Sequence, residues 1–137
     1  MNHKDTKTQR EPIPPHTNYV SKVVVDAAFA VHSELGPGLL ESVYEKCLAH
    51  GIRRRGLPVQ RQILLPIEFE DLRINSGLRL DMLVDSCLVV EVKAAEVIIP
   101  VHKAQLLTYL RLSGQRLGLL INFNVPIIQS GITRIAL

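Results

Sequence analysis

Two acids and a lysine stand in a stretch that otherwise reads as apolar strand. They are Asp81, Glu91 and Lys93 in GLRLDMLVDSCLVVEVK, residues 77–93. On the strand after the reversal, Cys87, Val89, Glu91 and Lys93 share one side, and Leu88, Val90 and Val92 share the other. Asp81 lies on the preceding strand, and directly opposed residues of an antiparallel pair point to the same side. A three-residue loop centred on Ser86 sets Asp81 opposite Glu91. A two-residue loop sets it opposite Val90 and splits the acids across the sheet. Convergence of the acids therefore requires an odd loop or a bulge. Two carboxylates about 4 Å apart repel by about 4 kcal/mol at an effective dielectric of about 20, and dehydrating each adds more. A divalent cation offsets both, and hard Mg²⁺ takes carboxylate oxygens. Lys93 on the Glu91 side can then orient a water and stabilise charge developing on a phosphate. The competing explanation is a solvated Glu–Lys face on an edge strand. The apolar run Leu88-Val89-Val90 and Val92 argues for a central strand, yet both explanations stand on these residues alone.

The elements that must position these groups follow from periodicity. Residues 1–16 carry Pro12, Pro14 and Pro15 and no apolar period, which predicts a flexible tail. Residues 17–137 then form a single domain. Val20, Val24, Ala27, Val31 and Leu35 make one helical stripe, which predicts a helix from about Asn18 to Leu35 capped by Thr17 or Asn18. Gly36-Pro37-Gly38 stops it. A second helix is predicted from near Leu39, with Leu40, Val43, Cys47 and Leu48 as its apolar face, ending between Gly51 and Gly56, of which Gly56 is the better stop. From Pro58 the period changes to two, which predicts a strand to Glu70. Asn75-Ser76-Gly77 punctuates a turn over 71–77. Strands are predicted at Leu78–Val84, Cys87–Lys93 and Leu117–Phe123, with a last edge strand at Ile127–Ile135. A helix from Pro100 to Leu112 ends at Gly114. This order predicts an α/β fold, a central mixed β-sheet flanked by helices.

Composition narrows the classes. The chain has 137 residues, 47% hydrophobic and 21% charged, with a formal charge of +3. A packed core is within reach, and the small positive excess permits nucleic-acid binding without arguing for it. Cys47 and Cys87 are too few for a thiolate zinc site or a disulfide framework and read as small core hydrophobes. No apolar run reaches membrane-helix length. Cytoplasm is the expected compartment, with no membrane partner. No Walker loop or Rossmann fingerprint is present. Arg53-Arg54-Arg55 suits a helix C-terminus or a phosphate. With Arg61, Arg73, Arg79 and Lys103 it offers a basic rim if the fold gathers them.

Further motifs carry a resemblance. Asp81 followed by Glu91-Val92-Lys93 looks like the D…(D/E)xK signature of the PD-(D/E)xK nuclease superfamily. Gln105-Leu106-Leu107-Thr108-Tyr109 matches the QxxxY motif of its RecB-like branch. Gly38-Leu39-Leu40-Glu41-Ser42-Val43-Tyr44 spells GxxExxY, and residues 20–136 resemble the GxxExxY proteins of that superfamily. Leu80 stands where a proline often precedes the Asp. The resemblance implies a restriction-endonuclease-like fold and a Mg²⁺- or Mn²⁺-dependent nuclease acting on DNA. It implies catalytic roles for Asp81, Glu91 and Lys93. It implies metal ligation by Asp81, Glu91, the Val92 backbone carbonyl and Glu41. It places Gln105 and Tyr109 beside the substrate, and His102 joins their helix face by its spacing. Plainer explanations exist for the extras. Glu41 suits a helix N-terminus, Tyr44 and Tyr109 suit a core, and His32 and His102 suit hydrogen-bonded fillers.

Three functions fit this sequence. The first is a metal-dependent nuclease. The second is a catalytically silent nucleic-acid-binding or protein-assembly module on the same fold. The third is a hydrolase of another phosphate ester. A homodimer or a partner protein would supply recognition elements that so short a chain lacks.

Overall fold

The computed structural model describes residues 11–137. Most of the expected tail, residues 1–10, lies outside that range. The chain runs α1 (Pro15–Leu35), α2 (Glu41–Arg54), β1 (Val59–Phe69), β2 (Leu72–Val84), β3 (Leu88–Lys93), α3 (Pro100–Ser113), β4 (Leu117–Asn122), a 3₁₀ turn (Ile128–Gly131) and β5 (Ile132–Ala136). The five strands form one sheet in sequential order. β3 and β4 are parallel, joined through α3, and every other neighbouring pair is antiparallel. This is the mixed sheet that the element order predicts. Val20, Val24, Tyr44, Leu48 and Ile52 of α1 and α2 cover one side, with Met82, Val84, Val90, Val92 and Ile121 beneath them. Leu106 and Leu110 of α3 cover the other side, over Leu80, Val89 and Leu120. Among the described residues no helix is long and apolar enough to cross a membrane.

Four local expectations need correction. The last strand starts at Ile132, not Ile127, because Ile128–Gly131 form a 3₁₀ turn. α1 begins at Pro15, not Asn18. Pro15 occupies its first turn and Pro14 precedes it without a side-chain cap, because a proline there gives up no helical hydrogen bond. Thr17 is buried inside the helix, and Asn18 accepts a hydrogen bond from Arg134 instead.

The predicted turn at 71–77 is part of β2. The reversal is the two residues Glu70 and Asp71, closed by Phe69 opposite Leu72, with Glu70 at φ 54°. Asn75-Ser76-Gly77 is a bulge facing Pro66, since the pairing passes from Leu65↔Leu78 to Ile67↔Ile74. Pro66 has no N–H to give the ladder. A Cβ at Gly77 would lie 2.9 Å from Ile67, which explains the glycine by close approach rather than by a turn.

α2 buries a different face from the one predicted. Tyr44, Glu45, Leu48, Ala49 and Ile52 point inward, while Leu40 is 73% exposed. Tyr44 sets this rotation. Its ring stacks on Phe123 at 4.7 Å. Its hydroxyl donates to Gly36 O at 2.5 Å and accepts from Leu39 N–H at 3.1 Å. The tyrosine of GxxExxY is thus a clamp on the α1–α2 turn, where Gly38 takes φ 101°, a conformation that favours glycine.

Candidate active site

The reversal between β2 and β3 decides where the acids meet. Val84 pairs with Leu88, so Asp85, Ser86 and Cys87 form a three-residue loop. Cys87 N–H donates to Val84 O at 3.0 Å. Asp85 and Ser86 take φ 49° and 56°, the left-handed values of a primed hairpin turn. The loop is odd, and the register carries Asp81 opposite Glu91.

The ladder between these strands ends at Met82↔Val90. Beyond it the strands part, and the two carboxylates fill the gap. Asp81 N–H donates to Glu91 Oε2 at 2.9 Å, and Val92 N–H donates to Asp81 Oδ2 at 2.9 Å. Each acid thus bonds to an amide of the opposite strand. Asp81 is 8% exposed and Glu91 6%. No fully buried side-chain nitrogen or oxygen among the described residues lacks a partner. The second oxygens of the pair therefore open towards solvent.

Burial and like charge both act against ionisation of the pair. Burial pushes the Glu91 carboxyl up to about 8, and the Asp81 charge adds to the rise; the Asp81 amide and Lys93 oppose it, and Glu45 adds again. Asp81 is raised too, by burial first. The Val92 amide counters that, Glu45 and Glu41 add to it, and Lys93 opposes it. Dehydration disfavours the charged form, and so does a like charge nearby.

The remaining expected residues fall at different distances from this pair. Lys93 lies two residues beyond Glu91 and its charge acts on both acids. Glu41 is the first residue of α2, exposed, and its charge reaches Asp81. Tyr109 is half-buried. Burial raises its phenol, and the charges of Glu91 and Asp81 raise it further against a hydrogen bond from Gln105 and the charge of Arg79. Gln105 donates to Tyr109 Oη at 2.7 Å. The QxxxY pair therefore acts as one unit, and its phenol feels the charge of both acids. His102 Nδ1 accepts from Ile99 N–H at 3.3 Å at the start of α3. His32 bonds the Val125 carbonyl at 2.8 Å, which makes it a filler.

Three residues of the expected basic rim have partners of their own, while the charge of Arg79 acts on Tyr109. Arg61 is spent on Glu45, Arg73 on Glu68, and Arg53 on the Val59 carbonyl. Glu45 is the residue that sequence reasoning missed. It is 5% exposed on α2, and its charge acts on both acids. Its only sequence signal is its place directly after Tyr44.

The donor set suits a hard divalent cation: two buried carboxylates, each with one oxygen still open, and raised proton affinities that a cation would relieve. Among the described residues no three His, Cys, Asp or Glu side chains gather closely enough to hold an ion by themselves. Backbone oxygen, water or substrate must complete such a site. A family model described as the PD-(D/E)XK nuclease superfamily matches residues 18–135. No curated protein and no solved structure matches the chain.

Proposed function

The chain belongs to the PD-(D/E)XK nuclease superfamily, and from that premise we propose that it is a divalent-metal-dependent nuclease hydrolysing phosphodiester bonds in DNA. The observation that carries this reading is the crossed acid pair, Asp81 and Glu91 bonded to amides of each other's strands, with Lys93 beside them. A fold that wanted only stability would fill this gap with apolar side chains. DNA as substrate rests on the superfamily alone.

Asp81 and Glu91, with the Val92 carbonyl, would hold Mg²⁺ or Mn²⁺, and Glu41 would add a ligand through water. When bound, such an ion supplies Lewis-acid neutralisation of phosphate charge and a more acidic water. Asp81 and Glu91 are fixed by their amide bonds, so they need no rearrangement to present their open oxygens. Lys93 donates towards the attacking water and the phosphate oxygens, stabilising the negative charge that builds there. Tyr109, held by Gln105, borders the position of the substrate backbone and donates to it.

A second reading is a non-catalytic nucleic-acid-binding or assembly module. It is favoured by the absence of a three-residue ligand cluster among the described residues. A panel of single-stranded, double-stranded and branched DNA and RNA, incubated with Mg²⁺ or Mn²⁺, separates the two. The nuclease reading expects cleavage that Asp81→Asn abolishes and Lys93→Ala slows by about 10²-fold or more. Binding without cleavage, unchanged in Asp81→Asn, assigns the chain to the second reading.

A further inference from the structure

The β1–β2 hairpin turns over at Asp81. On β1, Val59 packs among the α1 and α2 residues, while Ile63, Leu65 and Ile67 pack on the α3 side. On β2, Met82 and Val84 lie on the first side, while Leu78 and Leu80 lie on the second. Residues of one parity keep to one side in a regular strand. Here both strands exchange sides between the pairs Arg61↔Met82 and Ile63↔Leu80. Gln62 lies between those pairs on β1, opposite Asp81, and takes φ 53°. A left-handed conformation is unfavourable for a residue with a side chain and persists only where its surroundings hold it.

Those surroundings are visible. Gln62 Nε2 donates to Glu45 Oε2 at 2.7 Å. Arg61 donates to the same oxygen, Nε at 3.2 Å and Nη2 at 3.0 Å. Arg61 alone would neutralise the buried Glu45. The additional bond from Gln62 ties the helix to the one residue whose backbone reverses the hairpin.

We infer that Glu45 is a positioning residue: through Gln62 it holds the left-handed turn that rolls the hairpin over at Asp81 and aims the Asp81 carboxylate at Val92 N–H. The functional meaning rests on the acid pair being a cation site, but the geometry can be tested without metal.

The test is amide hydrogen exchange by NMR on the metal-free full chain. The variants are Glu45→Ala, Gln62→Gly, Gln62→Val and the double Glu45→Ala/Gln62→Gly. Valine resists the left-handed region and glycine enters it freely. Exchange at the Asp81 and Val92 amides should rise about tenfold or more in Gln62→Val and Glu45→Ala. Val90 and Leu119 should change by less than about threefold. Gln62→Gly should stay close to wild type, and the double variant should recover most of the protection lost in Glu45→Ala, since glycine needs no clamp. The inference is overturned if the loss is equal at all four amides, if none changes, or if the double variant is no better than Glu45→Ala. Should Gln62→Val fail to fold, the Glu45→Ala and double-variant comparison decides alone. Calorimetric titration with Mn²⁺ runs in parallel. If wild type binds no Mn²⁺ while the amide pattern holds, the cation reading fails and the positioning role stands.

Discussion

Glu91→Gln isolates the electrostatic load that this fold carries in the absence of metal. Glu91 has its folded pKa raised from 4.5 to about 8, chiefly by burial and next by Asp81. The folded chain binds this proton more tightly than the unfolded chain does. The stabilisation is therefore complete below about pH 4.5 and is lost as pH rises through about 8. Carrying the carboxyl from the lower value to the higher corresponds to roughly 5 kcal/mol once Glu91 is fully ionised in the fold. Glutamine keeps the shape and an oxygen to accept from Asp81 N–H, but it never ionises. In thermal unfolding with chelator present, wild type and variant should coincide near about pH 4. Near about pH 9 the variant should be the more stable by a few kcal/mol, which for a domain of this size is about 10–20 °C. Millimolar Mn²⁺ should narrow that gap by stabilising wild type alone. A gap that stays constant with pH, or one in which wild type leads at high pH, refutes the reasoning.

Lys93→Ala removes the cation beside the acids but leaves both carboxylates, so Mn²⁺ should still bind by calorimetry while cleavage falls by about 10²-fold or more. Tyr44→Phe strands the Gly36 carbonyl and the Leu39 amide; urea unfolding should show a loss of about 1–3 kcal/mol with Mn²⁺ binding unchanged. Gly131→Ala would set a Cβ 2.1 Å from the Asn122 backbone oxygen, so the loop between β4 and β5 must move. Its unfolding midpoint should drop by the equivalent of about 1–3 kcal/mol or more.

Asp81, Glu91 and Lys93 are legible in the sequence because charge inside an apolar strand is conspicuous at any spacing. Their convergence is not, since it depends on whether the reversal uses two residues or three. The structure uses three, and it does so with Asp85 and Ser86 in left-handed conformations that no glycine announces. Helices and strands follow their periods closely, and the crossover through α3 makes β3 and β4 parallel as the order implies. The errors lie where long-range contacts decide. The α2 face is turned by a stack between Tyr44 and Phe123, far apart in sequence. Asn75-Ser76-Gly77 has turn chemistry but becomes a bulge because Pro66 faces it. Glu45 escapes notice because the arginine and glutamine that hold it lie on β1, and a Glu on a helix usually faces water.

The edge of the sheet carries one more consequence. β1 has 11 residues, is the outermost strand at its end of the sheet, and bears Leu64 and Phe69 exposed. A long, flat, apolar edge of this kind templates aggregation. Here Gln62, with its backbone reversed, and Pro66, with no N–H, divide it into 59–61, 63–65 and 67–69. Each run is three residues, about half the length of a segment that stacks into a cross-β fibril. Straightening the edge, by Gln62→Val together with Pro66→Val, would join these runs into one continuous template. The kink beside Asp81 thus also keeps copies of the chain from adding to one another strand by strand.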